Sequence, residues 1–124
     1  MSAGRQRVVV LGASDKPERY SHQAVRLLLE HGHEVVPVHP REKVVAGLAV
    51  VPDLAHVTGP VDTLTLYVGA AISSSLQPQI VALRPARVIF NPGAENPDLQ
   101  AALAAQGIRT EAACTLVLLR TGQF

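Results

Sequence analysis

With 124 residues, 48% of them apolar, the chain has the size of one domain, and a second core does not fit. Two Phe, two Tyr and no Trp leave the core to Val, Leu, Ile and Ala, a composition that suits buried parallel strands under alanine-rich helices. A formal net charge of +1 gives no basic footprint for nucleic acid, one cysteine excludes an internal disulfide or a cysteine-based zinc cluster, and no apolar run approaches the ~20 residues of a membrane span.

Met1 to Gln6 reads as a disordered lead without the apolar h-region of a signal peptide, so a cytoplasmic setting is expected. Arg7 to Leu11 is an aliphatic strand stopped by Gly12. Ser21 is the expected N-cap of a helix whose apolar face is Ala24, Val25, Leu28 and Leu29, and Gly32 ends it. Glu34 to Val38 is the second strand, with Pro37 placed at its end. Gly47 to Val51 reads as a short edge strand and Pro52 to His56 as one helical turn.

Asp62 to Val68 alternates with period two: Leu64, Leu66 and Val68 on one face, Thr63, Thr65 and Tyr67 on the other. Ser73 to Ser75 offer N-caps for a helix to about Leu83, and Pro78 fits only if that helix starts near Ser75. Arg87 to Phe90 is a buried strand closed by Asn91-Pro92-Gly93. Asn96 or Pro97 opens a helix to Gly107, Ile108 to Glu111 is a last strand, and Cys114 to Leu119 fits either a strand or a terminal helical turn.

Strand and helix alternating through short links predict a single α/β domain over residues 7–124, a Rossmann-like, three-layer, doubly wound parallel sheet. With Gly47 to Val51 counted as a strand the expected order is 3-2-1-4-5-6. Ligands bind such sheets at the switch point, beyond the carboxyl ends of the strands. Those ends are Gly12-Ala13-Ser14, His39-Pro40, Val68-Gly69-Ala70 and Asn91-Pro92-Gly93.

A dinucleotide fingerprint would need glycine at Gly12, Ser14 and Pro17, and only the first matches. The carboxylate that holds a nicotinamide dinucleotide's ribose at the end of the second strand is replaced by His39-Pro40, followed by Arg41, Glu42 and Lys43. Lys16 and Arg19 add cations in the first loop, so the site suits a ligand with several phosphates. An NAD(P)-binding oxidoreductase or sensor domain is the competing reading.

Gly12-Ala13-Ser14, Lys16-Pro17-Glu18-Arg19-Tyr20-Ser21, Gly32-His33-Glu34-Val35, Pro37-Val38-His39-Pro40, Pro60-Val61-Asp62 and the late Cys114 together resemble the small stand-alone coenzyme A-binding proteins. The same pattern is similar to the N-terminal domain of the succinyl-coenzyme A synthetase alpha subunit. The resemblance implies a non-catalytic domain that binds coenzyme A or an acyl-coenzyme A at the strand ends. By resemblance, Gly12, Ala13, Ser14, Arg19, Tyr20 and Ser21 cradle the pyrophosphate, with Lys16 in the same loop. Pro40 with Arg41 or Lys43 flanks the 3′-phosphate, Tyr67 and Val68 pack along the nucleotide, and Pro92, Gly93, Ala94 and Glu95 lie near the pantetheine arm. His39 stands where these proteins commonly carry Asn, and the Asn91 to Asn96 segment is more polar than theirs.

No catalytic constellation is evident. His39 is expected to contact the ligand rather than act as a general base, and Glu95 to be a helix N-terminal carboxylate. His31 and His33 have no third partner for a metal, and Cys114 is either a buried small hydrophobe or a partner for the coenzyme's thiol. A homodimer and an acyl-coenzyme A ligase partner carrying the catalytic histidine are the assemblies left open.

Overall fold

The computed structural model describes residues 4–124; the lead expected over residues 1–6 lies outside them for its first three. Gln6 is held in place: its side-chain oxygen accepts from Thr63 Oγ1 at 2.7 Å, and its N–H donates to His33 Nδ1 at 3.0 Å.

Five parallel strands form the sheet. They are β1 (Arg7–Leu11), β2 (Glu34–Val38), β5 (Thr63–Leu66), β6 (Arg87–Phe90) and β7 (Arg109–Ala112), in the order β2-β1-β5-β6-β7. The chain moves outward from β1 to β2 and then returns past β1 to β5, so the switch point lies between β1 and β5, as expected. Strand alternation divides β1 between two cores. Val8 and Val10 pack with Val25 and Leu28 of α1 (Tyr20–Glu30) and Leu119 of α5 (Thr115–Arg120). Val9 and Leu11 pack with Ile80 of α3 (Gln77–Leu83) and with Leu99 and Leu103 of α4 (Pro97–Ala105). Helices on both faces make the three layers.

The expected sixth strand is not in the sheet. Ala46 and Gly47 both have positive φ, 51° and 82°, which folds β3 (Val44–Val45) back on β4 (Leu48–Ala49) as a tight antiparallel hairpin. Among the described residues of this segment, Val51 alone pairs with the sheet edge, through a parallel bridge to Val38. That bridge explains Pro37, which sits inside β2 rather than at its end. Its carbonyl accepts from Val51 N–H on the outer side, so its missing donor falls on the sheet's open edge, where a proline is tolerated.

Other local expectations shift for identifiable reasons. Helix α1 begins at Tyr20 with Arg19 as N-cap, because the turn from Lys16 O to Arg19 N–H already starts the coil, and Ser21 is buried inside it. Ser73 to Ser75 are not caps: they belong to α2 (Ala70–Ser75), whose Ser73 and Ser75 hydroxyls bond back to Ala70 and Ile72 carbonyls. Helix α3 restarts after Leu76 with Pro78 in its first turn, the place where a missing N–H costs nothing. Asn96 caps α4, accepting from Leu99 N–H at 3.1 Å. The segment after Cys114 is helical, with Cys114 as N-cap. The threonine face of β5 is as buried as its leucine face, since α5 covers it.

Candidate functional site

At the carboxyl ends of β1, β2, β5 and β6 a cleft of about 570 Å³ opens between four loops. From the β1–α1 loop and the start of α1 come Gly12, Ser14, Lys16, Arg19, Tyr20 and Ser21. His39, Arg41 and Glu42 follow β2, Tyr67, Val68 and Gly69 follow β5, and Pro92, Gly93 and Ala94 follow β6.

Gly12 sets the floor. Its φ is +89°, and a Cβ there would lie 2.9 Å from Val68 Cγ1 and 3.0 Å from the Tyr67 carbonyl oxygen. Only glycine lets β1 turn this close to β5. The N–H groups of Gly12 and Ala13 are both taken by the Val38 carbonyl, which fixes the turn against β2. Ser14 is fixed by His22, a buried residue whose ring is ordered at both ends. Arg26 Nε donates to its Nε2 at 2.8 Å, so Nδ1 carries the proton and donates to the Ser14 carbonyl at 2.9 Å. Arg19 makes no side-chain cap on α1, so the first N–H groups of an 11-residue helix face the cleft beside Lys16 and Arg19. Those amides, the helix dipole and the two cations favour an anion at this point.

Across the mouth, the Glu42 carboxylate accepts the Asp15 N–H at 3.1 Å. Hydrogen bonding from Asp15, first through that N–H, together with the nearby His39 and Lys16, holds the Glu42 carboxyl below its ordinary value. The His39 Nδ1 accepts from the N–H groups of Arg41 and Glu42 at 3.0 and 3.1 Å, which leaves the ring proton on Nε2.

A second hollow, about 520 Å³, shares Gly12, His39, Arg41, Tyr67, Val68 and Gly69 with the first and continues over Val38, Pro40, Leu54, Ile72 and Leu76. The two adjoin along His39 and Tyr67 as one groove, polar on one side, with Lys16, Arg19 and Arg41 against Glu42, and largely apolar on the other, where Asp53 is the one acidic lining residue. Burial pushes the Tyr67 hydroxyl up to about 12; the Thr115 and Thr65 hydroxyls lie close and offset part of this, but the oxygen makes no hydrogen bond of acceptable geometry. Beneath the floor, Asn91 is buried. Its Nδ2 donates to Thr65 Oγ1 at 2.6 Å and to the Leu66 carbonyl at 2.9 Å, and its Oδ1 accepts the Thr115 N–H at 2.9 Å.

Thirteen of the seventeen residues singled out in the sequence line the first cleft, and Pro40 lines the second hollow. Three do not reach the groove. Ala13 is fully buried behind it, Lys43 is exposed beside it, and Glu95 turns back to accept the Gly93 N–H at 2.9 Å. That bond, rather than the α4 dipole alone, accounts for the Glu95 carboxylate. Cys114 is free, half-buried and absent from the lining. Glu42 and Gly69 were not singled out. Gly69 followed directly from the end of β5, whereas nothing in the residue pattern marked the Glu42 link to Asp15.

A larger cavity, about 800 Å³, opens at the opposite end of the sheet between Arg5, His31, His33 and Phe124. It faces the carboxyl end of α1, where the dipole opposes an anion. Burial, with His31 and Arg87 nearby, pushes the His33 imidazole below its ordinary value. Among the described residues, no group of three or more His, Cys, Asp or Glu could hold a metal ion, and no helix is long and apolar enough to cross a membrane.

The sheet order and the cationic groove at its switch point define a Rossmann-like domain of the nucleotide-binding class. Residues 6–120 match the family model described as CoA binding domain, and the chain belongs to that family. A crystal structure of an uncharacterized protein superposes with a TM-score of 0.93 at 38% identity, covering 98% of this chain and 100% of the other. The structure of cell-free ID.343 from Thermus thermophilus gives 0.88 at 31% identity, with 97% and 91% covered. The dinucleotide forming acetyl-coenzyme A synthetase 1 of Ca. Korarchaeum cryptofilum shares the fold at TM-score 0.73 and 21% identity, over 87% of this chain and 25% of that one. Among curated proteins, the uncharacterized protein YneT of Bacillus subtilis (strain 168) is 32% identical over 62 residues, which is 50% of this chain and 46% of YneT. The match therefore spans about half the length of that relative.

Proposed function

We propose that this chain holds coenzyme A or an acyl-coenzyme A in the groove and performs no chemical step on it, leaving any reaction of the ester to another chain. The observation that carries the reading is the joining of a cationic cleft to a largely apolar hollow along His39 and Tyr67, in a member of the CoA binding domain family. Coenzyme A has the matching order of parts: an apolar adenine, a phosphorylated ribose, a pyrophosphate and a long thiol-bearing arm. The pyrophosphate fits the N–H groups at the start of α1 between Lys16 and Arg19. Arg41 is placed for the 3′-phosphate, with Lys43 exposed two residues on. The adenine fits among Pro40, Leu54, Ile72 and Leu76, and the arm runs over Pro92 to Ala94.

Two features favour coenzyme A over a nicotinamide dinucleotide. Of the two carboxylates near the end of β2, Glu42 is occupied by Asp15 N–H and flanked by cations, and Asp53 accepts from His56. Nor is His39 poised as a base through Nδ1, which two amides already fill. Thermal denaturation with coenzyme A, acetyl-coenzyme A, NAD and NADP at equal concentrations tests the reading, because a ligand of the native state raises its melting temperature by mass action. Stabilisation by the two coenzyme A species alone is expected; a larger shift with NAD or NADP overturns it.

A further inference from the structure

Two loops from different strands form the mouth of the groove, and one histidine links their geometry. His39 Nδ1 receives both Arg41 N–H and Glu42 N–H, which curls the residues after β2 into a turn. That turn delivers the Glu42 carboxylate to Asp15 N–H, 27 residues away in sequence, on the β1–α1 loop. Remove the acceptor on His39 and two donors lose their partner, the turn opens, and the tie between the loops goes with it.

We propose that neutral His39 is the positioning residue of the groove: its Nδ1 holds the Arg41–Glu42 turn in place, and its protonation releases that turn and weakens binding. The inference rests on the coenzyme A reading for its ligand, but the latch itself belongs to the ligand-free chain. A protonated ring carries N–H at both nitrogens, so Nδ1 would meet two donors with a third.

The charged and titratable groups that line the groove with His39 are Lys16, Arg19, Tyr20, Arg41, Glu42, Tyr67 and Asp53. Three are cations, so a fourth positive charge in the mouth is opposed; the same charge attracts an anionic ligand, and salt screens both. The sign is set by the turn: a third donor at Nδ1 repels the Arg41 and Glu42 N–H groups that it holds in the neutral form.

The test uses the whole chain with His39→Asn and His39→Leu. An asparagine side-chain oxygen takes the place of Nδ1 as acceptor, as in an Asx turn, and does not titrate; leucine removes the acceptor. The first measurement follows the Arg41, Glu42 and Asp15 amide resonances with pH in the absence of ligand. In the wild type all three move with the midpoint of the His39 ring, and in His39→Asn they stay flat. The second is calorimetry with coenzyme A, whose 3′-phosphate is the group placed against Arg41; that phosphate itself ionises at about pH 6, so the latch is read as the difference between the wild type and His39→Asn.

Between about pH 8 and about pH 5.5 the wild type loses about fivefold more affinity than His39→Asn does. His39→Leu, checked for an unchanged melting temperature, binds weakly at both. Amides that ignore the His39 titration, a pH slope as steep in His39→Asn as in the wild type, or His39→Leu binding like wild type at the higher pH each overturn the proposal. If the wild type binds no coenzyme A species at the higher pH, the functional reading fails, and the amide titration alone decides the latch.

Discussion

Gly12 and Val68 stand so close that a single added methyl carbon on Gly12 would lie 2.9 Å from Val68 Cγ1. The contact joins the ends of β1 and β5, the two strands on either side of the switch point. Gly12→Ala must therefore both push β5 away and hold a non-glycine residue at φ +89°, at a cost of about 1–3 kcal/mol. Chemical denaturation is expected to show that loss, together with impaired coenzyme A binding. A variant as stable as the wild type would mean that the turn is not under this constraint.

Arg19 offers the opposite separation of stability from binding. Its side chain is exposed and makes no cap on α1, so Arg19→Ala should alter unfolding free energy by no more than about 0.5 kcal/mol. Removing a charge-assisted contact to a pyrophosphate should nevertheless weaken coenzyme A by about tenfold. Calorimetry showing an unchanged dissociation constant would remove Arg19 from the site.

Tyr67 carries a hydroxyl that is buried and without a hydrogen bond, so Tyr67→Phe discards an unsatisfied group and is expected to be neutral or slightly stabilising. The same burial raises the phenol to about 12 in the folded chain, above its ordinary value. The neutral form is the one the fold accommodates. Stability is therefore fully present below about pH 10 and declines as the pH rises toward about 12, while the variant loses that part of the slope. Ultraviolet titration should show the Tyr67 phenol ionising above its ordinary value.

Asn91 joins three elements through three hydrogen bonds, to Thr65, Leu66 and the first N–H of α5. Asn91→Ala leaves the buried Thr115 N–H without its partner and takes one of two partners from Thr65 Oγ1, which keeps Thr115 Oγ1, and a loss of about 2–4 kcal/mol in unfolding free energy is expected. A loss below about 1 kcal/mol would show that the network is dispensable.

Much of this architecture was legible from short-range pattern. Val8 to Leu11 had to be a buried strand, Gly12 had to end it, and strand-helix alternation led to a switch point between β1 and β5. What escaped was decided by tertiary partners. Ala46 and Gly47 adopt the paired positive φ values of a tight hairpin, although an Ala-Gly pair reads equally well as strand. Ser21 has the chemistry of a cap, but an earlier turn had already begun the helix. Arg41 and Lys43 look alike in sequence, and only Arg41 reaches the groove, in a turn whose Arg41 and Glu42 N–H groups bond to His39. Glu42 could not be foreseen as a tie, since its partner is a backbone N–H on another loop.

The most direct measurement is a crystal structure of this chain grown with coenzyme A. The pyrophosphate should lie against Gly12 to Ser14 and the first turn of α1, with adenine beyond Tyr67 among Pro40, Leu54 and Ile72. Coenzyme A found instead in the cavity between Arg5, His33 and Phe124, or absent from the groove at saturating concentration, would contradict the central claim.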